Sequence, residues 1–211
     1  ALPGVDWMIA DRFVMPEALL PYCTERPIYL PHCYQVSDRQ REVAPRPERL
    51  RYGLPEDAFV YCSFNNNHKF TAEMFAAWMR ILAAVPGSVL WLLADNDWAR
   101  DNMLAVAARH GVAAERLIFA PRVAPPEYLA RFQLADLVLD TFPYNAGTTA
   151  SDCLWAGTPI VTLSGRSTAI TRGASRFSSS RIDHFSRSRS TVESRLATPT
   201  RSANRQMELA V

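Results

Sequence analysis

The sequence lacks the patterns that mark disulfide-rich, zinc-binding and membrane-spanning proteins. Its four cysteines, Cys23, Cys33, Cys62 and Cys153, form no C-x-x-C pair, which argues against a disulfide framework or a zinc site and favours free thiols. The longest apolar stretches, such as residues 88–94, are far shorter than the roughly 20 residues that a spanning helix needs. The N-terminus shows no basic-then-apolar signal pattern. These absences predict a soluble cytoplasmic protein with no membrane partner.

Lysine is almost absent as well. Of the 23 basic residues, only Lys69 is a lysine, so it is the one candidate wherever chemistry needs a compact ammonium rather than a planar guanidinium. The formal net charge of +2 is too small to indicate a nucleic-acid partner on its own. With 211 residues, 48% of them apolar and 21% charged, the chain has the composition of a soluble globular domain with some sequence left over.

Between residues 59 and 163, short strand-like apolar runs alternate with longer stretches of helical spacing. This alternation is typical of a βαβ array, and runs that are apolar on both faces indicate buried parallel strands. We therefore predict an α/β fold with a Rossmann-like parallel sheet over residues 58–165. The predicted strands are 59–63, 88–93, 116–119, 137–140 and 159–163, and the predicted helices are 71–84, 98–110, 126–135 and 149–156.

The two ends of the chain differ from this central domain. Residues 1–57 carry one strand-like run, 6–10, followed by proline-rich irregular sequence, which predicts the remnant of a preceding lobe and a connector. Residues 166–211 contain ten serines, nine arginines and little apolar periodicity, which predicts a disordered tail. A reading-frame shift and a genuine arginine-serine tail are both open as its origin. The arginine-serine run at 186–190 lacks interleaved aromatic residues, so a nucleic-acid partner is the least favoured function.

The most informative loop leaves the strand predicted at 137–140 and enters the helix predicted at 149–156. Ligands bind at such places in open α/β sheets. Gly147 permits close backbone approach, and Thr148 and Thr149 place hydroxyls beside the free amides of a helix N-terminus, an arrangement that suits a diphosphate. The alternative is that one threonine merely caps the helix, which is about as common but does not explain the glycine.

A second polar loop, residues 63–70, follows another predicted buried strand and should open onto the same sheet edge. In this loop Lys69 can neutralise a leaving diphosphate without a metal, and Asn66 can donate an amide hydrogen bond to an oxygen. The alternative is a solvent-exposed lysine in an asparagine-rich turn.

Five short motifs stand out along the chain: FNNNHK at 64–69, SVLWLL at 88–93, QLAD at 133–136, LDT at 139–141 and LWAGTP at 154–159. Together they resemble the O-GlcNAc transferase and SPINDLY-like family. They occur in family order and near family spacing, and the resemblance covers residues 5–166. It implies the C-terminal lobe of a GT-B glycosyltransferase, which binds UDP-N-acetylglucosamine beside a cleft that admits a Ser or Thr hydroxyl of a protein.

The resemblance implies a role for several residues in binding the donor. Lys69 and Asn66 would meet the diphosphate, although animal members carry glutamine in place of Asn66. Thr148 and Thr149 would bind phosphate oxygens, and Asp152 would accept a hydrogen bond from a ribose hydroxyl.

The implied base and sugar contacts depart from the family pattern. Ala124 would offer backbone hydrogen bonds to the uracil, although a one-residue length difference follows it. Tyr128 stands where animal enzymes have a histidine against the uracil, and it can still stack. Gly147 stands where many relatives have a histidine near the sugar, so N-acetylglucosamine and, as in the SPINDLY branch, fucose both stay open.

The function that the resemblance implies is inverting transfer of N-acetylglucosamine from UDP to a protein hydroxyl, with Lys69 as the catalytic residue and no metal or cofactor. The implied partners are a UDP-sugar, a protein acceptor with Ser or Thr, and the N-terminal lobe or tetratricopeptide region of the family. No repeat of about 34 residues occurs in this sequence. The alternative is a non-catalytic or decayed nucleotide-sugar-binding module.

Overall fold

The computed structural model describes residues 4–93 and 96–163, and the tail predicted at 166–211 lies outside them. The first element is a two-stranded parallel sheet in which β1, Trp7–Ala10, pairs with β2, Arg26–Tyr29. A 3-10 helix, Glu17–Tyr22, connects the two strands. The sequence predicted only β1, because Pro27 interrupts the second run. A proline is tolerated there because β2 is an edge strand.

The second sheet has five parallel strands in the order β5-β4-β3-β6-β7. The α/β, Rossmann-like fold predicted from the alternating pattern is confirmed. The strands are β3 Val60–Ser63, β4 Val89–Leu93, β5 Leu117–Ala120, β6 Leu137–Leu139 and β7 Ile160–Val161.

Four α-helices connect these strands: α1 Ala72–Ala84, α2 Asp97–Arg109, α3 Pro125–Arg131 and α4 Thr148–Trp155. Short 3-10 turns lie at Arg49–Tyr52, Asn67–Lys69, Ala114–Arg116 and Phe132–Leu134. The helix predicted at 126–135 ends as an α-helix at Arg131, because the chain tightens there into the 3-10 turn Phe132–Leu134. The Phe132 carbonyl in this turn accepts a hydrogen bond from the Thr158 hydroxyl at 2.8 Å. None of the helices described is long and apolar enough to span a membrane.

Helices cover both faces of the five-stranded sheet. Alternate strand residues such as Cys62 and Trp91 belong to a core with residues of α4 and of the 3-10 turn after α3. Their strand neighbours, such as Tyr61 and Leu90, belong to a second core with residues of α1 and α2. Burying each large apolar side chain contributes about 1.5–3 kcal/mol, so the two cores hold the sheet between two helical layers.

The connector between the two sheets is fixed at the amino ends of the strands. Arg49 donates to the carbonyls of Glu56 and Ala58 at 2.8 Å and pairs with Asp136 at 3.1 Å. The same Asp136 oxygen accepts the Val60 amide at 2.8 Å at the start of β3. The guanidinium therefore joins the connector to the central strand.

The strand order creates a switch point between β3 and β6. From β3 the chain moves outward to β4 and β5 on one side, and then returns to β6 and continues to β7 on the other. The loops after β3 and β6 consequently diverge at the carboxyl ends of neighbouring strands. In open α/β sheets this divergence forms the crevice in which ligands bind.

Candidate donor site

Asp140 organises the loop that follows β6. One of its carboxylate oxygens accepts the amides of Thr141 and Ala146, each at 2.7 Å. The other accepts from the Asn145 side chain at 3.0 Å and from the Thr162 hydroxyl at 2.6 Å. Burial raises the pKa of Asp140, and these hydrogen bonds oppose the shift. No role is predicted for Asp140 from the sequence, although it lies in the LDT motif at 139–141; in the structure it shapes the loop.

Lys69 reaches this loop from the neighbouring strand. It ends the 3-10 turn after β3, and its ammonium donates to the Asn145 carbonyl at 3.3 Å. The ammonium also lies 4.5 Å from the centroid of the Tyr144 ring. Burial lowers the pKa of Lys69, whereas the charge of Asp140 raises it. The structure therefore brings the only lysine of the chain to the segment that leads into α4.

The N-terminus of α4 leaves its first amides available for a ligand. Gly147 is the residue that precedes the helix, and no side chain caps it. Thr148 and Thr149 are the first two helical residues, so the alternative in which one of them caps the helix is wrong. Gly147 has a φ of −99°, so the position does not require the left-handed freedom of glycine. Amides in a first turn have no acceptor within the helix, which makes this end suitable for an anion.

Tyr128, on α3, lies beside α4. Burial, and secondarily the Asp152 charge, raises the pKa of Tyr128, while a hydrogen bond with the Thr149 side chain opposes the shift. Its ring forms a T-shaped pair with Phe132, with the ring centroids 5.2 Å apart. Ala124, the exposed residue before α3, accepts the Tyr128 amide at 2.8 Å. The structure thus joins the predicted base contacts to the predicted phosphate contacts.

Arg131 was not anticipated from the sequence. It is fully buried, its guanidinium lies 4.0 Å from the Phe64 ring centroid and 5.0 Å from that of Tyr128, and it donates to the Pro121 carbonyl at 2.7 Å. Burial lowers the pKa of Arg131. One signal in the sequence could have identified it. Arg131 stands in the mostly apolar run 129–135, at a position where a helix that packs on a core usually has an aliphatic residue.

The remaining two predicted residues lie at the margins of the site. Asn66 is exposed, and its side-chain oxygen is 3.4 Å from the Arg122 guanidinium. Asp152 is buried on α4, and its carboxylate pairs with Arg41 of the connector. The sequence did not anticipate that pair, and the role of Asp152 at a ribose stays a prediction.

Within residues 4–93 and 96–163, no three His, Cys, Asp or Glu side chains are grouped in a way that could hold a metal ion. The positive groups at the site include the Lys69 ammonium and the first amides of α4. Groups of this kind bind phosphate oxygens through charge-assisted hydrogen bonds.

The sequence profile of glycosyl transferase family 41 matches residues 43–195. The chain belongs to this family. The matched range begins in the connector, includes all five strands of the large sheet and continues beyond the described residues.

Named relatives agree with this membership. Over 165 residues the chain is 37% identical to the probable UDP-N-acetylglucosamine–peptide N-acetylglucosaminyltransferase SEC of Arabidopsis thaliana, covering 75% of this chain and 17% of that protein. Over 115 residues it is 39% identical to the UDP-N-acetylglucosamine–peptide N-acetylglucosaminyltransferase of Caenorhabditis elegans, covering 54% of this chain and 10% of that one. The family 41 chain therefore spans less than a fifth of either relative.

A solved structure shows the same arrangement of elements. A mutant of the Thermobaculum terrenum O-GlcNAc transferase superposes with a TM-score of 0.66 at 28% sequence identity. The superposition covers 82% of this chain and 32% of that one. The α/β fold and the assignment to the C-terminal lobe of a GT-B glycosyltransferase agree with this likeness.

Proposed function

We propose that this family 41 chain is the donor-binding part of a protein O-GlcNAc transferase, which moves N-acetylglucosamine from UDP to Ser or Thr hydroxyls. The observation that carries the proposal is the position of the Lys69 ammonium beside the loop into α4, at the switch point of the sheet. The similarity to peptide N-acetylglucosaminyltransferases that use UDP-N-acetylglucosamine supports the donor and the sugar.

In the proposed reaction, the acceptor oxygen attacks the anomeric carbon of the sugar from the face opposite UDP. A new carbon–oxygen bond forms, the bond between the anomeric carbon and the β-phosphate oxygen breaks, and the hydroxyl proton passes to solvent water. Negative charge then accumulates on the diphosphate. Lys69, the hydroxyls of Thr148 and Thr149 and the first amides of α4 stabilise that charge, a contribution that is often the largest in such reactions and needs no metal.

The other predicted residues complete the proposed donor site. Asn66 contacts the diphosphate, Ala124 offers its backbone to the uracil, Tyr128 stacks on the base, and Asp152 accepts from the ribose. The Tyr128 side chain forms a hydrogen bond with the Thr149 side chain, which supports adjacent base and phosphate subsites. We expect the acceptor-side groups on an N-terminal lobe of the same protein, of which residues 1–57 form the end, and tetratricopeptide repeats beyond it.

The test is calorimetric titration of UDP into the wild-type chain and Lys69→Ala. We expect saturable binding to the wild type and a loss of about 10- to 100-fold in the variant, the value of a charge-assisted hydrogen bond. Wild-type binding should also weaken as the pH rises through the lowered pKa of Lys69. Arg80→Gln is the control, because it removes a positive charge from an exposed position on α1.

Circular dichroism and thermal melting establish that each variant is folded. Absence of UDP binding by a folded wild-type chain contradicts the donor-site proposal. Equal losses in Lys69→Ala and Arg80→Gln would show a general charge effect and not a site. Binding that depends on Lys69, but without sugar transfer when the chain is part of the longer protein, would favour the non-catalytic module.

A further inference from the structure

Part of the connector lies beside the proposed donor site. Residues 37–44, which we call the strap, contact both helices that border it. At one end the Ser37 hydroxyl is 3.3 Å from the Ser151 hydroxyl on α4. At the other end the Ala44 amide donates to the Pro126 carbonyl at the start of α3 at 3.1 Å. The strap therefore joins the helix of the proposed phosphate subsite to the helix of the proposed base subsite.

Arg41 lies in the middle of the strap and faces α4. Its Nη1 donates to Oδ1 of Asp152 in a close ion pair, and the guanidinium lies 5.2 Å from the centroid of the Trp155 ring. The two charged side chains are only 22% and 9% exposed. Pairs that are screened from water hold their geometry more firmly than surface pairs do.

The pair leaves hydrogen-bonding capacity on both partners. Arg41 uses Nη1, while its Nε and Nη2 are buried and have no hydrogen-bond partner within the part of the chain that the structure describes. Asp152 uses Oδ1 for this contact, and a carboxylate has a second oxygen to offer. Buried donors without partners cost free energy, so such groups usually meet a further acceptor.

We propose that Arg41 is a positioning residue of the donor site: it holds the Asp152 carboxylate in one orientation, in which the second oxygen accepts a ribose hydroxyl of the nucleotide. This inference rests on the proposed function, because the ribose belongs to the UDP-sugar. It makes the strap a part of the site, although sequence reasoning assigned it to a linking segment.

The opposite role is that of a plug, by which we mean that Arg41 blocks the Asp152 carboxylate and so prevents the nucleotide from binding. The two roles predict opposite changes in nucleotide affinity when Arg41 is replaced. Removing a positioning residue weakens nucleotide binding, whereas removing a plug strengthens it. The single-oxygen contact favours positioning, because a plug that blocked the carboxylate would engage both oxygens with the two-pronged guanidinium.

The first arm of the test measures the affinity of UDP and of 2′,3′-dideoxy-UDP for the wild-type chain, Arg41→Gln and Arg39→Gln. We expect Arg41→Gln to bind UDP about tenfold more weakly and to lose most of the wild-type preference for UDP over the dideoxy analogue. General damage to the site would lower both affinities equally and leave the preference intact. Arg39→Gln, an exposed neighbour on the strap, should match the wild type.

The second arm needs no nucleotide. Carbon-detected NMR titration follows the Asp152 carboxyl in the free chain, where burial raises its pKa and Arg41 opposes the shift. Tyr128 on α3 and Cys153 on α4 also lie near enough to feel the charge of this carboxylate, and burial keeps both neutral by raising their pKa. We therefore expect Arg41→Gln to raise the pKa of Asp152 further. Arg41→Lys, which keeps the charge without the planar fork, should give a smaller rise.

The two arms separate the possible failures. An unchanged Asp152 pKa in folded Arg41→Gln overturns the ion pair and the inference with it. A raised pKa with tighter UDP binding overturns positioning in favour of a plug, and an intact preference for UDP overturns the ribose role. If the pKa measurement shows the Arg41–Asp152 ion pair but the wild-type chain binds neither nucleotide, the proposed function is overturned. The positioning role at a ribose is then overturned with it.

Discussion

The two ends of the large sheet use their buried polar groups differently. At the amino ends of the strands, Arg49 makes hydrogen bonds to four carbonyls and to Asp136. Arg116 there donates to the carbonyls of Leu82, Val85 and Ser88. At the carboxyl ends, buried polar atoms without partners occur within the described residues, among them Ser63 Oγ, the amide of Asn65 and two nitrogens each of Arg41 and Arg131.

This difference separates polar groups that are paired within the fold from polar groups that have no hydrogen-bond partner among the described residues. A buried donor or acceptor without a partner costs about 1–3 kcal/mol, so a protein keeps several of them in one place only where something compensates. Unpaired groups cluster at functional sites for this reason. Among the described residues, Arg49 and Arg116 at the amino ends are paired with protein groups, and the unpaired groups named above lie at the carboxyl ends, where family 41 membership leads us to expect a nucleotide.

The largest expected effect is on stability, at the amino ends. Arg49→Met should lower the free energy of unfolding by about 3 kcal/mol, because it removes the ion pair and leaves the half-buried Asp136 carboxylate without its cation. UDP affinity should not change at a temperature where the variant is folded. Urea unfolding followed by tryptophan fluorescence measures the first quantity, and calorimetry measures the second.

Arg51→Met is the matched control for this substitution. Its ion pair with Glu127 is solvent-exposed, with 60% of the arginine side chain accessible, so the loss should stay below about 1 kcal/mol. Equal destabilisation by the two variants would contradict the structural role of Arg49.

A smaller effect on stability is expected to distinguish two buried serines, Ser88 and Ser63. Ser88→Ala should destabilise the chain by about 1 kcal/mol, because the Ser88 hydroxyl donates to the Val85 carbonyl at 2.7 Å and accepts from Arg116 at 3.0 Å. Ser63→Ala, at the carboxyl end of β3, removes a hydroxyl that has no partner among the described residues. It should leave stability unchanged or raise it by up to about 1 kcal/mol. Thermal melting of the two variants decides whether the comparison between the two ends holds.

The fold was predictable where short apolar runs carry the information by themselves. Strands such as Val60–Ser63 and Val89–Leu93 are buried on both faces, so their composition identifies them without knowledge of their neighbours. The strand Arg26–Tyr29 was missed because an edge strand tolerates Pro27 and charge, and then resembles irregular sequence.

The site was predictable only in part, for a related reason. Loops after buried strands drew attention to Lys69 and Thr148, which neighbouring strands then brought to one end of the sheet. The pair of Arg41 with Asp152 joins positions 111 residues apart, and no local pattern signals it. The four hydrogen bonds to Asp140 likewise depend on the path of the loop, which sequence alone does not specify.

Hydrogen–deuterium exchange of the chain with and without saturating UDP tests the contrast between the two ends most directly. We predict slower exchange in residues 64–70 and 140–152, which form the proposed donor site. Exchange should not change in residues 46–58, which surround Arg49. Protection of 46–58 instead of the two loops, or no protection anywhere, would contradict the assignment of the carboxyl ends as the nucleotide site.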